Sequence, residues 1–76
     1  MIQSIIFNKE ELWDTTRARR WLNKNKFYPI KRVHESARFY RYRIKEPDYD
    51  RFEYRTHNLG HGIKVIRGIP YHQMIE

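Results

Sequence analysis

The chain has 76 residues, a length that allows one small domain, which buries about 60% of the surface that the unfolded chain exposes. It contains no cysteine, so disulfides and thiolate metal sites are excluded. Sixteen Lys and Arg residues against nine Asp and Glu residues give a formal charge of +7, which favours polyanions as partners.

The amino-terminal residues 2–7 form a short apolar run that is rich in β-branched side chains and ends at Asn8. Such a run favours a strand over a helix, so we predict a first strand here. The run is also too short for a signal sequence or a membrane span. We therefore expect a soluble intracellular protein that makes no membrane contact.

A helix is predicted to begin at Asp14, whose carboxylate can accept hydrogen bonds from the free amides of the first turn. Ala18, Trp21 and Leu22 follow at helical spacing and indicate a face that packs against a core. The basic residues lie on a separate stripe, which consists of Arg17, Arg20 and Lys24. The stretch 23–25 indicates the end of the helix, closed by an Asn in the left-handed conformation.

Two strands are predicted after the helix, at 30–34 and 38–45, with a turn at 35–37 between them. The second strand alternates, so its side chains point to opposite faces of a sheet. The face that we assign to the core consists of Tyr40, Tyr42 and Ile44. The other face consists of Phe39, Arg41 and Arg43, with Arg55 or Lys64 as expected neighbours on the sheet.

A hairpin is predicted next, with strands at 52–56 and 63–66 and a turn at 58–62 in which glycine can adopt positive φ. The rest of the chain shows no pattern, so we divide the protein into a single domain at 1–68 and a C-terminal tail at 69–76. In order, the elements predict a two-layer α+β fold, β-α-β-β-β-β. One helix packs on a mostly antiparallel sheet of four to five strands.

A tryptophan-led helix followed by an aromatic-Arg-aromatic-Arg strand forms a compound motif that is more specific than either half alone. The residues that carry it are Gln3-Ser4-Ile5-Ile6-Phe7, Trp13, Ala18, Trp21-Leu22, Phe27, Pro29-Ile30-Lys31-Arg32-Val33-His34, Tyr40-Arg41-Tyr42-Arg43, Phe52, Arg55-Thr56, Gly60 and Gly62-Ile63. With them the chain resembles, over 2–68, a small basic domain family of tailed phages and large DNA viruses. In some phages a similar segment lies near the start of head-maturation protease or other head-gene products, and in giant viruses it occurs as a free-standing protein.

The resemblance implies a viral protein, located in the host cytoplasm or in the virion, and it brings no established activity. The chain departs from the family pattern at two points. Arg17 stands where an acidic residue often completes a capping box, and 69–76 has no counterpart. Neither the helix start nor the tail therefore inherits a role.

Residues suited to catalysis or metal binding do not form a known motif. The histidines, His34, His57, His61 and His72, lack the paired spacing of a zinc site. The acidic residues of the loop around Pro47 are Glu46, Asp48, Asp50 and Glu53. No lysine follows them at nuclease spacing, so we predict a solvated loop or a counterweight to the nearby arginines Arg38, Arg41 and Arg43. Since a Gly-rich phosphate loop, a serine elbow and a thiol are also missing, we expect no enzyme activity, no metal and no cofactor.

Arginines that alternate with aromatic residues on a strand suit nucleic acid, because guanidinium groups match phosphates and also stack on rings. We therefore predict binding to DNA or RNA through sequence-independent phosphate contacts that weaken with salt. The predicted contact residues are Arg17, Arg20, Lys24, Lys31, Arg32, Arg38, Arg41 and Arg43. The helix and strand arginines are expected to share one surface.

Other interpretations of the same surface remain open. The protein could be a virion structural or assembly protein whose basic face docks an acidic protein surface. It could also be an inhibitor or adaptor that binds a host protein. In a purely structural interpretation, Arg41 and Arg43 are the polar face of a half-buried strand and prevent edge pairing through their charge.

Overall fold

The computed structural model describes residues 1–73, which form a five-stranded antiparallel sheet and one α-helix. The strands are β1 (Ile2–Asn8), β2 (His34–Glu35), β3 (Phe39–Arg43), β4 (Phe52–Gly60) and β5 (Ile63–Pro70), and the helix is α1 (Thr15–Lys24). Short 3-10 helices follow β1 and β5, at Lys9–Glu11 and Tyr71–Gln73. The order of strands across the sheet is β2-β3-β1-β5-β4, so β1 lies at the centre.

Strand β1 organises the sheet because it is paired along both of its edges. It pairs antiparallel with β3 on one side and with β5 on the other, and Ile5 lies between Tyr42 and Val65 in the register. Ile5 and Phe7 are fully buried, and Ser4 on the other face is buried as well. An apolar strand that is shielded from water in this way is the expected centre of a small sheet.

The core lies between the sheet and α1 and is built around Phe7. The centroid of the Phe7 ring lies 4.7 Å from the ring centroid of Trp13, 5.6 Å from that of Trp21 and 5.7 Å from that of Tyr42. The buried cluster consists of Ile5, Phe7, Trp13, Ala18, Leu22, Tyr42, Ile63 and Val65. Large rings let few residues fill this space. The predicted two-layer α+β fold and the inward orientation of Tyr42 are both confirmed.

The helix begins as predicted but ends differently. Asp14 Oδ1 accepts a hydrogen bond from the Arg17 N–H at 2.7 Å, which satisfies one free amide of the first turn. The predicted closure by a left-handed Asn is wrong, because Asn25 has a φ of −96° and Lys26, with a φ of 61°, takes the left-handed conformation instead. The Asn25 side chain donates to the Trp21 carbonyl at 2.9 Å, so it caps the helix by a side-chain contact.

Strand β2 is shorter than the strand predicted at 30–34, because it comprises only His34 and Glu35. The residues before it are irregular and still follow the sheet. The Ile30 N–H donates to the Arg43 carbonyl at 2.9 Å, just beyond the β2 pairing. The chain from 30 to 35 therefore runs along the outer edge of β3.

Strands β4 and β5 are longer than predicted, with nine and eight residues. Strand β5 continues through Ile69 and Pro70, which pair with Glu53 and Phe52. The sheet thus extends two residues into the stretch predicted as a tail. Residues 74–76 of that stretch lie outside the described residues.

The β4–β5 hairpin closes through a two-residue turn, His61-Gly62, with φ values of 55° and 77°. Positive φ at both positions is characteristic of a type I′ turn, which matches the twist of the flanking strands. The turn is fixed to the rest of the molecule by two hydrogen bonds. Trp13 Nε1 donates to the His61 carbonyl at 2.7 Å, and the Asn8 N–H donates to the Gly62 carbonyl at 2.8 Å.

Candidate functional site

The face of the sheet that points away from α1, here called the open face, carries the strand arginines. Directly opposed residues of antiparallel strands share a face, and one such row crosses the whole sheet. It consists of His34, Arg41, Ile6, Lys64 and Asn58. Since Tyr42 packs against Phe7 on the helix side, the alternation of β3 turns Arg41 and Arg43 to the open face, as predicted.

At one edge of the open face lies a concavity of about 320 Å³, here called the basic concavity. It is lined by Lys31, Arg32, His34, Arg41 and Arg43. Strand β3 supplies the two arginines, β2 supplies His34, and the irregular segment before β2 supplies Lys31 and Arg32. All five side chains are cationic or can become so, an arrangement that concentrates positive potential at one place.

One acidic side chain partly neutralises the basic concavity. Glu46 forms ion pairs with two of these residues, with Oε1 3.1 Å from Lys31 Nζ and Oε2 3.6 Å from Arg43 Nη1. Among the described residues, Arg32 and Arg41 form no ion pair. The predicted counterweight from the acidic loop therefore reaches Arg43 and leaves the guanidinium of Arg41 available to a ligand.

The basic residues of the helix lie on the other layer of the molecule. Arg17, Arg20 and Lys24 line a shallow concavity of about 310 Å³ together with Trp13 and Trp21. Arg17 is held in place there, because its guanidinium carbon lies 3.9 Å from the Trp13 ring centroid and its Nη1 donates to the Glu11 carbonyl at 3.0 Å.

The prediction that the helix and strand arginines share one surface is therefore wrong. The helix arginines point outward from the helix layer, and the strand arginines point outward from the open face of the sheet. The physical reason is the shared core. Ala18 and Leu22 of α1 are buried in one cluster with Tyr42 of β3, so the basic residues of each element are turned outward in opposite directions. Arg38 lies exposed in the turn between β2 and β3.

Two further residues belong to the open face and are absent from the predicted contact set. His34 enters because it pairs with Arg41, and Lys64 because it pairs with Ile6. Lys64 was expected as a neighbour on this face, and the alternation of the β5 sequence could have added it to the predicted contact residues. Arg55, expected as the other neighbour, points to the helix side. It pairs with Arg67, and the next pair along the two strands, Thr56 and Ile66, points to the open face.

The acidic residues are engaged in local contacts. Asp48 lies 3.7 Å from Arg51, and Glu53 pairs with Arg55 at 2.7 Å. Within residues 1–73, no three His, Cys, Asp or Glu side chains come together in a way that could hold a metal ion. In the same part of the chain, no helix has the length and apolar character needed to cross a membrane.

Comparison of the chain with known protein families, with curated proteins and with solved structures finds no match. The resemblance to the viral domain family thus stays a prediction that depends on the residues named for it.

Proposed function

We propose that this protein is a small, non-enzymatic viral protein that binds nucleic acid through phosphate contacts from the open face. The observation that carries the proposal is the basic concavity. It brings two lysine or arginine side chains of the segment before β2, two arginines of β3 and one histidine together around a single opening, and one carboxylate, that of Glu46, pairs with Lys31 and Arg43.

Arginine is well suited to this role because its planar guanidinium group can form two parallel hydrogen bonds with a phosphate. Arg32 and Arg41 are the residues that we assign to the strongest contacts, since neither is engaged by an acidic side chain in the described part of the chain. Contacts of this kind are made to the backbone and not to the base edges, so they do not select a sequence.

The proposal is tested by fluorescence anisotropy, with a labelled oligonucleotide titrated at 50 and 200 mM salt. About four phosphate contacts on a single strand would reduce the affinity roughly fiftyfold between these two concentrations. Changing Arg32→Ala and Arg41→Ala together should lower the affinity at 50 mM salt at least about tenfold and reduce the salt slope on a single strand by about 1.4.

A charge-matched control is Arg51→Ala with Arg55→Ala, which removes two positive charges that lie outside the basic concavity and are already paired with acids. This control should retain most of the affinity. Equal losses in the two double variants would show that net charge alone drives binding. Failure of the native protein to bind DNA or RNA at 50 mM salt would reject the proposal.

The second candidate function is assembly in the virion through an acidic protein surface. It is favoured by two exposed apolar side chains that precede the basic segment, Tyr28 and Ile30, which are 65% and 51% exposed. Apolar residues beside a charged patch are typical of protein interfaces. Recovery of the protein from nuclease-treated particles at a fixed stoichiometry would favour this function over nucleic-acid binding.

A further inference from the structure

A second concavity, of about 530 Å³, lies on the open face beside the basic one, and we call it the central concavity. Ile6 and Lys64 are part of its lining, and Arg41 of the basic concavity is the cross-strand neighbour of Ile6. The two concavities therefore lie side by side across the β1–β3 pair, so that one extended chain molecule could lie across both of them. A volume of this size is within the range of pockets that hold small organic groups.

The chemistry of the central concavity differs from that of its neighbour. Its wall includes the ring of Phe39, which is 37% exposed although it stands on a strand. Its other side chains include Asn8, Thr56 and Asn58, which are neutral and polar, together with His61 and one acidic residue, Glu11. The site thus combines an exposed aromatic ring with hydrogen-bonding groups. Among the described residues, Lys64 is the one lysine in its lining.

The two asparagines are oriented by their own backbone contacts. Asn8 Oδ1 accepts from the Glu10 N–H at 2.9 Å, and Asn58 Oδ1 accepts from the Gly60 N–H at 2.8 Å. Because each oxygen is turned to the backbone, each side chain offers its Nδ2 group as a donor on the other side. Within residues 1–73, neither of these groups donates to another protein atom. Donors of this kind match the acceptor atoms on the edge of a nucleobase.

We propose that the central concavity binds one unpaired base of a single-stranded nucleic acid, stacked on Phe39, while the adjoining phosphates contact Arg41 and Lys64. This inference rests on the proposed function and narrows it to single strands. In a duplex the bases are stacked and paired with one another, so a ring on a recessed protein surface cannot reach their faces. In a single strand each base has a free face, and stacking on an aromatic side chain is tolerant of sequence.

The test compares a labelled twelve-nucleotide strand with the duplex of the same sequence, in both DNA and RNA form, by anisotropy at 50 mM salt. The native protein should bind the single strand more tightly than the duplex. Phe39→Ala should reduce single-strand affinity about tenfold and leave duplex affinity unchanged. Phe39→Trp, which keeps a stacking surface, should retain single-strand affinity. The tighter of the DNA and RNA arms identifies the sugar that the site accepts.

Leu59→Ala is the matched control, because Leu59 is an exposed apolar residue, 52% exposed, that also lies on a strand, β4, and is outside the lining of the central concavity. It should bind both ligands as the native protein does. Equal binding of strand and duplex, with no effect of Phe39→Ala, would overturn the inference and leave the phosphate-binding proposal standing. If the native protein binds neither the single strand nor the duplex, the proposed function itself is rejected. Thermal unfolding of each variant shows that the fold is retained.

Discussion

The hydroxyl group of Tyr42 is the least favourable feature of the core. Its side chain is fully buried, and among the described residues it has no hydrogen-bond partner for the hydroxyl oxygen. A buried polar group without a partner destabilises a fold by about 1–3 kcal/mol. The ring itself is needed, because it packs at 5.7 Å against Phe7 in the middle of the core.

Tyr42→Phe should therefore stabilise the protein, since it keeps the ring and removes the unpaired hydroxyl. We expect the free energy of unfolding to rise by about 1 kcal/mol, measured by urea denaturation at pH 7. Tyr28→Phe is the control, because Tyr28 is exposed and its hydroxyl is solvated in both states. A loss of stability in Tyr42→Phe would show that the hydroxyl is hydrogen-bonded in solution.

The same hydroxyl makes stability depend on alkaline pH. Burial raises the pKa of Tyr42 above its ordinary value of 10.0, and the positive charge of Arg19 opposes this effect in part. The folded state thus holds the proton more tightly than the unfolded chain does. The contribution of this group to stability is complete below about pH 10 and is lost as the pH rises through the higher pKa of the folded state.

Tyr42→Phe should accordingly lose less stability than the native protein when the pH is raised from 9 to 11. The measurement is the urea midpoint at several pH values, compared between the two proteins. Parallel decline of both curves would contradict the assignment, because the other tyrosines are common to both proteins.

At the scale of elements, the β4–β5 turn fixes how the hairpin joins the first part of the chain. A Cβ at Gly62 would lie 2.5 Å from Glu11 Cγ and 2.6 Å from Glu11 Cβ. Glu11 Cγ can move by a change of side-chain rotamer, but Cβ cannot move away without the backbone. A Cβ at Gly60, where φ is also positive at 83°, would meet nothing within 4 Å.

Gly60→Ala and Gly62→Ala therefore form a matched pair that separates backbone strain from steric clash. Gly60→Ala should cost about 1 kcal/mol, from the left-handed conformation alone. Gly62→Ala should cost roughly 2–4 kcal/mol, because the clash with Glu11 is added. Thermal or urea unfolding measures both, and equal losses would show that the turn can shift away from Glu11.

The parts of the fold that depend on local pattern could be predicted from the sequence, and the parts that depend on pairing could not. The cap at Asp14 and the alternation of Tyr42 with Arg41 and Arg43 are properties of a few adjacent residues. The extent of β5 is set by its pairing with β4, and a pattern that stops at Ile66 does not reveal it.

The candidate site likewise contains residues that a local pattern predicts and residues that only the tertiary structure brings together. Arg41 and Arg43 were predicted to face the solvent because strand alternation is local. Lys31 and Arg32 reach them only through an irregular segment that follows the edge of β3, held by the Ile30 hydrogen bond. The separation of the helix arginines onto the other layer follows from the core as a whole, which no local pattern encodes.

At the scale of the whole molecule, the charge of +7 is distributed over two faces and is partly balanced within the chain. The net charge attracts a polyanion from any direction, and its effect extends over about a Debye length. Selection between the two faces must then come from local geometry. Glu46 is the residue that controls this balance at the basic concavity, because its carboxylate is shared between Lys31 and Arg43.

Glu46→Gln should increase the affinity for nucleic acid, since it releases Lys31 and Arg43 to contact phosphates. We expect the affinity at 50 mM salt to rise several-fold and the salt slope to steepen by about 1, measured by anisotropy at four salt concentrations. Glu53→Gln is the matched control, because it raises the net charge equally but releases only Arg55, on the other side of the sheet. If both variants gain the same affinity, the field of the whole molecule determines binding. If Glu46→Gln alone gains, the basic concavity is the surface that receives the phosphates.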